Sequence, residues 1–580
     1  MKKYLFLAMA LLGMASCTNE DITNGNKPIH GGEIEESYIA INLSASDVTR
    51  AEGGVYVEGA EAERAVKTAH FFFFKDGAPF PVNITNGAVT SPGGTINHLS
   101  ASLSGSTSGM NNVSDIKNVV LLLSSYKGEY PNQIIAVLNW NPEPTKAYYL
   151  SELETAVNIA TKYDETDYFV MSNAVYAAGD KVMDATPLTE DNIKTSETDA
   201  MAAPVKIYVE RVAAKVTVTT ADGTNRINLN KPLEDAYVLV GAPVTKDVYA
   251  KLLGWELYND NTQSYLLKQI DPSWDNTVTS VGFNWNDPAW YRSYWATSLG
   301  RPAGADNSFQ MEYTTVPAGF ATKYGYAIGN NTNVGTADET AKSFTYIGEN
   351  TNGKAEGTKV ILKAQLVDVD GNALEIASWY GNKYIGEESL RTAVANTLKY
   401  TLYYLDTENN KYIGLQPEDL QCVAGGTANA PDGVDANEVY FQLSTAGEEK
   451  DWYKLVNGEY TPVANDTAND AKSVKATNDY LKTIQPGILY KNGETFYYVD
   501  IKHLGAEGSD AEYGVVRNHI YNIVINSIGG YGSPIYVGTS NLVTPGYPDT
   551  PDAEETFVSA QINILSWRLV NQQVDIQPNN

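Results

Sequence analysis

The chain has 580 residues, enough for three or four average domains or for two large β domains with insertions. It sets 41 Lys and Arg against 70 Asp and Glu, a net charge of −29, and a field of that sign repels phosphate, which argues against nucleic-acid binding and against docking on anionic membranes. Hydrophobic residues at 43% and 39 tyrosines argue against global disorder, and the two cysteines, Cys17 and Cys422, supply neither a disulfide framework nor a cysteine-based zinc site.

The chain opens with Lys2 and Lys3, a mostly apolar run from Tyr4 to Met14, and small residues before Cys17. This spelling predicts a signal peptide, too short for a membrane span, over residues 1–17. Cys17, directly after Ala15 and Ser16, resembles the acylated cysteine of a bacterial lipobox; a plain secretory signal is the simpler alternative. Residues 18–32 are polar and read as a tether. Ile39, Ile41, Leu43 and Ala45 then alternate with Tyr38, Ala40, Asn42 and Ser44, the period of a half-buried strand. Arg50 follows in a polar stretch flanked by Gly53 and Gly54, a favourable setting for proteolysis of the Arg50–Ala51 bond.

Most of the remaining chain reads as β. Strands are expected over 65–75, 117–124, 133–139, 206–219, 360–367, 495–501 and 519–528. Hairpin spellings recur at Asp76-Gly77, Asp222-Gly223, Asp370-Gly371, Asn457-Gly458 and Asn492-Gly493. Ser151 to Glu154 spells a capping box opening a helix through Val157 and Ala160, and 387–398 sets Leu390, Val394 and Leu398 on one helical face. A composition break at 196–204 predicts a domain boundary. A second break, at 539–555, places Pro545, Pro548 and Pro551 in a stiff linker. Beyond it Val558, Ala560, Ile562 and Ile564 alternate, and the phase then slips to Leu565, Trp567 and Leu569, which predicts a bulge or two consecutive strands. Such an apolar tail needs a partner, either its own domain or another molecule.

Catalytic signals are weak. His30, His70, His98, His503 and His519 lack metal-pair spacing and read as structural, and no nucleophile elbow or phosphate loop occurs. The stretch from Asp368 to Asn372 reads as a turn rather than a calcium loop. Carboxylate pairs for glycoside hydrolysis are numerous, and the aromatic run 284–295 offers a sugar-stacking surface, although such aromatics more often pack in cores.

Several segments together resemble the short-fimbria fimbrilins, stalk subunits of type V pili: 495–505, 512–534, 207–218, 290–296, 346–351 and 559–576, with the match weakest between 76 and 145. The resemblance implies an all-β chain of two transthyretin-like β sandwiches with a few short helices and a carboxy-terminal donor-strand extension. It divides the chain into a lipoprotein signal at 1–17, a propeptide at 18–50, sandwiches at 51–203 and 204–540, and linker and donor at 541–580. It implies a non-enzymatic, cofactor-free and metal-free structural pilin, lipidated at Cys17 and held at the outer membrane until an arginine-specific protease cuts Arg50–Ala51. Ile39, Ile41, Leu43 and Ala45 would form the displaced strand. Ala560, Ile562, Ile564, Leu565, Trp567 and Leu569 would form the donor, which enters the groove of the next copy in a surface fimbria that supports adhesion. Arg64 is a competing cleavage site. Partners would be further copies of the chain and accessory fimbrial subunits. The alternatives are a tip or anchor subunit, or a surface glycan-binding lipoprotein or hydrolase.

Overall fold

The computed structural model describes residues 34–43, 62–82, 84–85, 88–89, 96–106, 116–126, 129–156, 159–160, 168–174, 176–178, 181–183, 185–230, 247–258, 261, 263–269, 297–299, 329–330, 344–425, 429–435, 438–464, 470–503, 512–534, 558–565 and 569–572. Cys17, Ala45, Arg50, Ala51 and Trp567 lie outside these residues, as do the aromatic run 284–295 and the linker at 541–557.

Strands dominate, and two pairs of sheets carry the architecture. In the first pair, β1 (Ile34–Leu43), β2 (Ala69–Lys75), β3 (Ile116–Tyr126), β4 (Gln133–Leu138), β5 (Met171–Asn173), β6 (Val205–Ile207) and β7 (Val209–Arg211) are the main strands. One sheet runs β6-β1-β3 and ends on 104–106; the other runs β7-β5-β4-β2 and ends on 78–79. Four consecutive phenylalanines explain how the second sheet is covered on both faces. Phe71 and Phe73 join Ile39, Ile41, Leu121, Ile134 and Ile207 in one core, while the period of two sends Phe72 and Phe74 to another with Ile135, Val137, Leu153 and Leu266. The expected strand from residue 65 begins instead at Ala69, after the 3-10 turn Ala62–Arg64 and a stretch in which the Asn139 side chain engages the Ala65 carbonyl and the Lys67 amide.

His98 is buried in that second core, its ring 5.2 Å from Phe72 and 6.0 Å from Tyr148, with the His70 ring 6.3 Å away. Burial lowers the pKa of both imidazoles, and the neighbouring His98 lowers His70 further. The folded chain therefore favours neutral rings, and the unfolded chain takes up protons first as pH falls through about 6.5. Stability present above that value is lost below it. The melting temperature should fall as pH is lowered from about 7.5 to about 5.5, and His98→Phe should blunt the fall; a pH-independent melting temperature across that window would refute this.

The second pair of sheets contains β8 (Ala214–Thr220), β9 (Tyr249–Tyr258), β10 (Phe344–Ile347), β11 (Lys359–Val367), β12 (Glu494–Asp500), β13 (Ile520–Ile528), β14 (Val558–Leu565) and β15 (Leu569–Gln572). One sheet runs β8-β13-β14-β15 with β10 on the other side of β8; the other runs β9-β11-β12 between short strands at 226–228 and 533–534. Val216, Trp255, Leu362, Tyr497, Tyr521 and Ile523 share the core between them. A further core forms within 377–489, where the helix Glu387–Leu398 buries Leu390, Val394 and Leu398, the face expected from their spacing, against Phe441 and Trp452.

Several local expectations change. The strand expected over 206–219 breaks into β6, β7 and β8, and the first two pair within the first pair of sheets, past the expected 203/204 division. The helix at 150–154 starts two residues earlier than its spelling suggests, with Glu152 accepting from the Tyr149 amide at 2.8 Å, and it ends at Glu154; Ala160 lies in a short strand instead. Asp76-Gly77 and Asn457-Gly458 take positive φ at both positions and close hairpins. Asp222-Gly223 and Asn492-Gly493 turn the chain between strands of different sheets, so neither closes a hairpin. The Asp368 carboxylate is engaged by its own turn, accepting from the amides of Asp370 and Asn372.

Candidate functional site

The expected displaced segment is an inner strand, not an edge. All ten residues of β1 pair antiparallel with β3, Ile39 opposite Leu121 and Ile41 opposite Val119. On its other side Ile41, Asn42 and Leu43 pair parallel with Val205, Lys206 and Ile207. Tyr38 and Lys194 exchange amide-to-carbonyl hydrogen bonds of 2.6 and 2.9 Å. Ile39, Ala40 and Ile41 are buried. Residues 194–207 thus form one wall beside β1, stiffened by the helix Glu197–Ala202, whose first turn is capped by Ser196 Oγ accepting from the Asp199 amide. β3 forms the opposite wall. Without β1, both walls would present unpaired backbone groups over an apolar floor, a state that demands another strand.

The tail forms two consecutive strands, one of the two outcomes its phase slip predicts. β14 pairs antiparallel with β13, Ala560 opposite Ile525 and Ile562 opposite Ile523; Ile564 stands opposite Tyr521 and Leu565 opposite Ile520. β15 folds back on β14, with Leu569 opposite Leu565. The tail of this chain therefore sits on its own second pair of sheets, and the structure does not bring β14 and β1 together.

Two buried charge clusters went unnoticed in the sequence. In one, Glu63 Oε1 lies 2.8 Å from Lys215 Nζ and accepts from the Tyr346 hydroxyl at 2.5 Å, while the Glu63 carbonyl accepts from Arg211 Nε at 2.6 Å. Burial pushes this carboxyl up, and Lys215, Tyr346 and Arg211 outweigh it, holding the group below its ordinary value. In the other, Arg517 pairs with Glu349 at 2.6 Å and donates to the carbonyls of Tyr265 and Leu266, and Lys268 lies 3.1 Å from Glu210. Burial raises the Glu210 carboxyl, against the pull of Lys268 and Arg517. Because Glu63 and Arg211 accompany the first pair of sheets while Lys215, Tyr346 and Asn518 accompany the second, the contacts Glu63–Lys215, Glu63–Tyr346 and Arg211–Asn518 tie the two halves together. Removing one partner of such a buried pair leaves an uncompensated charge. The available signal was the charges at 210, 211 and 215 inside an otherwise apolar strand pattern.

Among the described residues no group of three or more His, Cys, Asp or Glu side chains is placed to hold a metal ion. The Cys422 thiol is pushed up by burial, away from the reactive thiolate.

Residues 488–573 match the family model for "Major fimbrial subunit protein type IV, Fimbrillin, C-terminal". Similar solved structures include a proposed cell adhesion protein from Parabacteroides distasonis ATCC 8503, at 11% identity and TM-score 0.32, covering 91% of this chain and 96% of that one. Another is a proposed cell adhesion protein from Bacteroides eggerthii DSM 20697, at 9% identity and TM-score 0.35, covering 93% and 97%. A third is the tip fimbrial protein Mfa3 from Porphyromonas gingivalis with C-terminal truncation, at 12% identity and TM-score 0.25, covering 90% and 99%. Likeness at this level identifies no function. No curated protein matches.

Proposed function

We infer, from the match of residues 488–573 to the fimbrillin carboxy-terminal family model, that this chain is a fimbrial subunit, the repeating stalk unit of a surface fimbria, and that it polymerises by strand replacement. The observation that carries this reading is the inner position of β1, paired on both sides and buried at Ile39 and Ile41, with Arg50 seven residues past its end. Cleavage at Arg50 would cut the strand's covalent tie and let it leave. The tail of another copy, with Ala560, Ile562 and Ile564 at the same period of two as Ile39, Ile41 and Leu43, could then fill the slot. Each isoleucine buried contributes roughly 1.5–3 kcal/mol, and each ladder hydrogen bond about 0.5–1.5 kcal/mol.

Donation requires the tail to leave β13. A head-to-tail contact of this kind does not close on itself and builds an open filament. Between subunits that each keep 37 cationic and 64 acidic side chains after the cut, net −27, repulsion works against assembly, and the inserted strand has to outweigh it. The reading includes acylation of Cys17, outer-membrane anchoring before the cut, an arginine-specific protease as processing partner, and adhesion as the use of the fimbria. A donor-like tail favours a stalk unit over a tip unit, which has no further copy to donate into.

Surface extract run on a gel with and without boiling tests it. A ladder in the unboiled lane, collapsing on boiling to one band whose amino terminus is Ala51, is expected. A single band in both lanes, beginning at Cys17, would refute the polymer and favour a tethered binding protein.

A further inference from the structure

The chain has a second arginine close to Arg50, and the structure closes it. Arg64 ends the 3-10 turn Ala62–Arg64, and the backbone is pinned on both sides of the Arg64–Ala65 bond. Upstream, Glu63 is held through its carboxylate by Lys215 and Tyr346 and through its carbonyl by Arg211 Nε. Lys215 lies in β8, hydrogen-bonded through its amide to the His519 carbonyl, and its ammonium stands 4.2 Å from the Phe344 ring; Arg211 also donates to Asn518 Oδ1 at 3.0 Å. Downstream, one side chain holds the next residues. Asn139 Nδ2 donates to the Ala65 carbonyl at 2.9 Å, and Asn139 Oδ1 accepts from the Lys67 amide at 2.7 Å. Asn139 itself takes a φ of 58° at the end of β4.

A protease binds several residues around its bond in extended form, so this bond opens only if a buried ion pair, two hydrogen bonds of Glu63 and the Asn139 clamp are released together. We propose that Glu63 and Asn139 form a double clasp that closes the Arg64–Ala65 bond to proteolysis and so determine that processing takes the upstream arginine alone. The clasp also secures the new amino-terminal segment to the second half of the chain while the β1 slot is empty. This inference rests on the reading that cleavage at Arg50 triggers assembly.

The test is timed digestion of the purified full-length chain with an arginine-specific endoprotease, followed by amino-terminal sequencing of every product. In the wild type, product beginning at Ala51 should accumulate before any beginning at Ala65. Glu63→Gln and Asn139→Gly, the latter retaining the positive φ, should each speed cleavage after Arg64 by about tenfold or more. Arg64→Lys added to either should abolish that product while leaving the Ala51 product. Equal cleavage after Arg50 and Arg64 in the wild type, or no acceleration in either variant, would overturn the clasp. So would simultaneous cuts after the buried Arg211 and Arg517 in the variants, since these would show that the contacts hold the whole fold rather than one bond. If the wild type resists cleavage after Arg50, the polymerisation reading fails, and the comparison of variant with wild type at Arg64 still decides the clasp.

Discussion

Replacing Arg50 by alanine is expected to leave the chain uncut and to abolish filaments, read by immunoblot of the subunit and by electron microscopy of the surface. The physical reason is competition for one slot. β1 is tethered to the sandwich it completes, so its effective concentration is about millimolar or higher, whereas a neighbour's tail is a dilute competitor. β1 also holds ladder bonds on both sides and buries Ile39 and Ile41 completely. A tail arriving against that occupant gains nothing that β1 does not already supply. The loss should exceed about 10²-fold, the scale of an effective-concentration advantage. Filaments of normal length and number in Arg50→Ala would remove cleavage at this bond from the account.

The second large effect is expected from deleting residues 558–580. The truncated subunit should still be cut after Arg50, should lose the unboiled ladder completely, and should accumulate as single units. The deletion touches neither β1, the walls of the slot nor the residues of the Glu63 clasp, so the acceptor side should open on cleavage as in the intact chain, and only the strand to donate is missing. Added to intact cut subunits, it should cap growing chains at one end and shorten them. An undiminished ladder from the truncated chain would exclude the tail as donor. The deletion also uncovers β13, whose Ile520 to Ile528 now pair with β14, and an exposed edge of that kind invites aggregation. Amorphous, boil-resistant clumps would be distinguished from a ladder by their lack of regular spacing.

How far the residues alone speak is clearest at the turns. Asp76-Gly77 and Asn457-Gly458 close hairpins because both central residues must take positive φ, a demand met locally by Asp, Asn and Gly. Asn492-Gly493 has the same dihedral signs and yet joins β12 to a strand, Ile488–Tyr490, that pairs with 376–378 in another sheet. Spelling specifies the turn, and the partners of the flanking strands specify whether it becomes a hairpin. The helix over 387–398 follows the same logic in reverse: its apolar spacing is local and sufficient, and its buried face is the expected one.

The amino-acid sequence by itself determined what depends on neighbours along the chain: the strand period at Ile39, Ile41 and Leu43 and again at Ala560, Ile562 and Ile564, the helical face at Leu390, Val394 and Leu398, and the fimbrillin likeness of the carboxy-terminal region. Only the tertiary structure decided that β1 is an inner strand between residues 116–126 and 205–207, that the tail makes two strands and lies on β13 of its own chain, and that buried Glu63 meets Lys215 and Tyr346. Those pairings join residues 152 and 283 positions apart in the last case. No periodicity reaches that far, because an isolated strand or a lone carboxylate is equally satisfied by many partners until burial removes water as one of them.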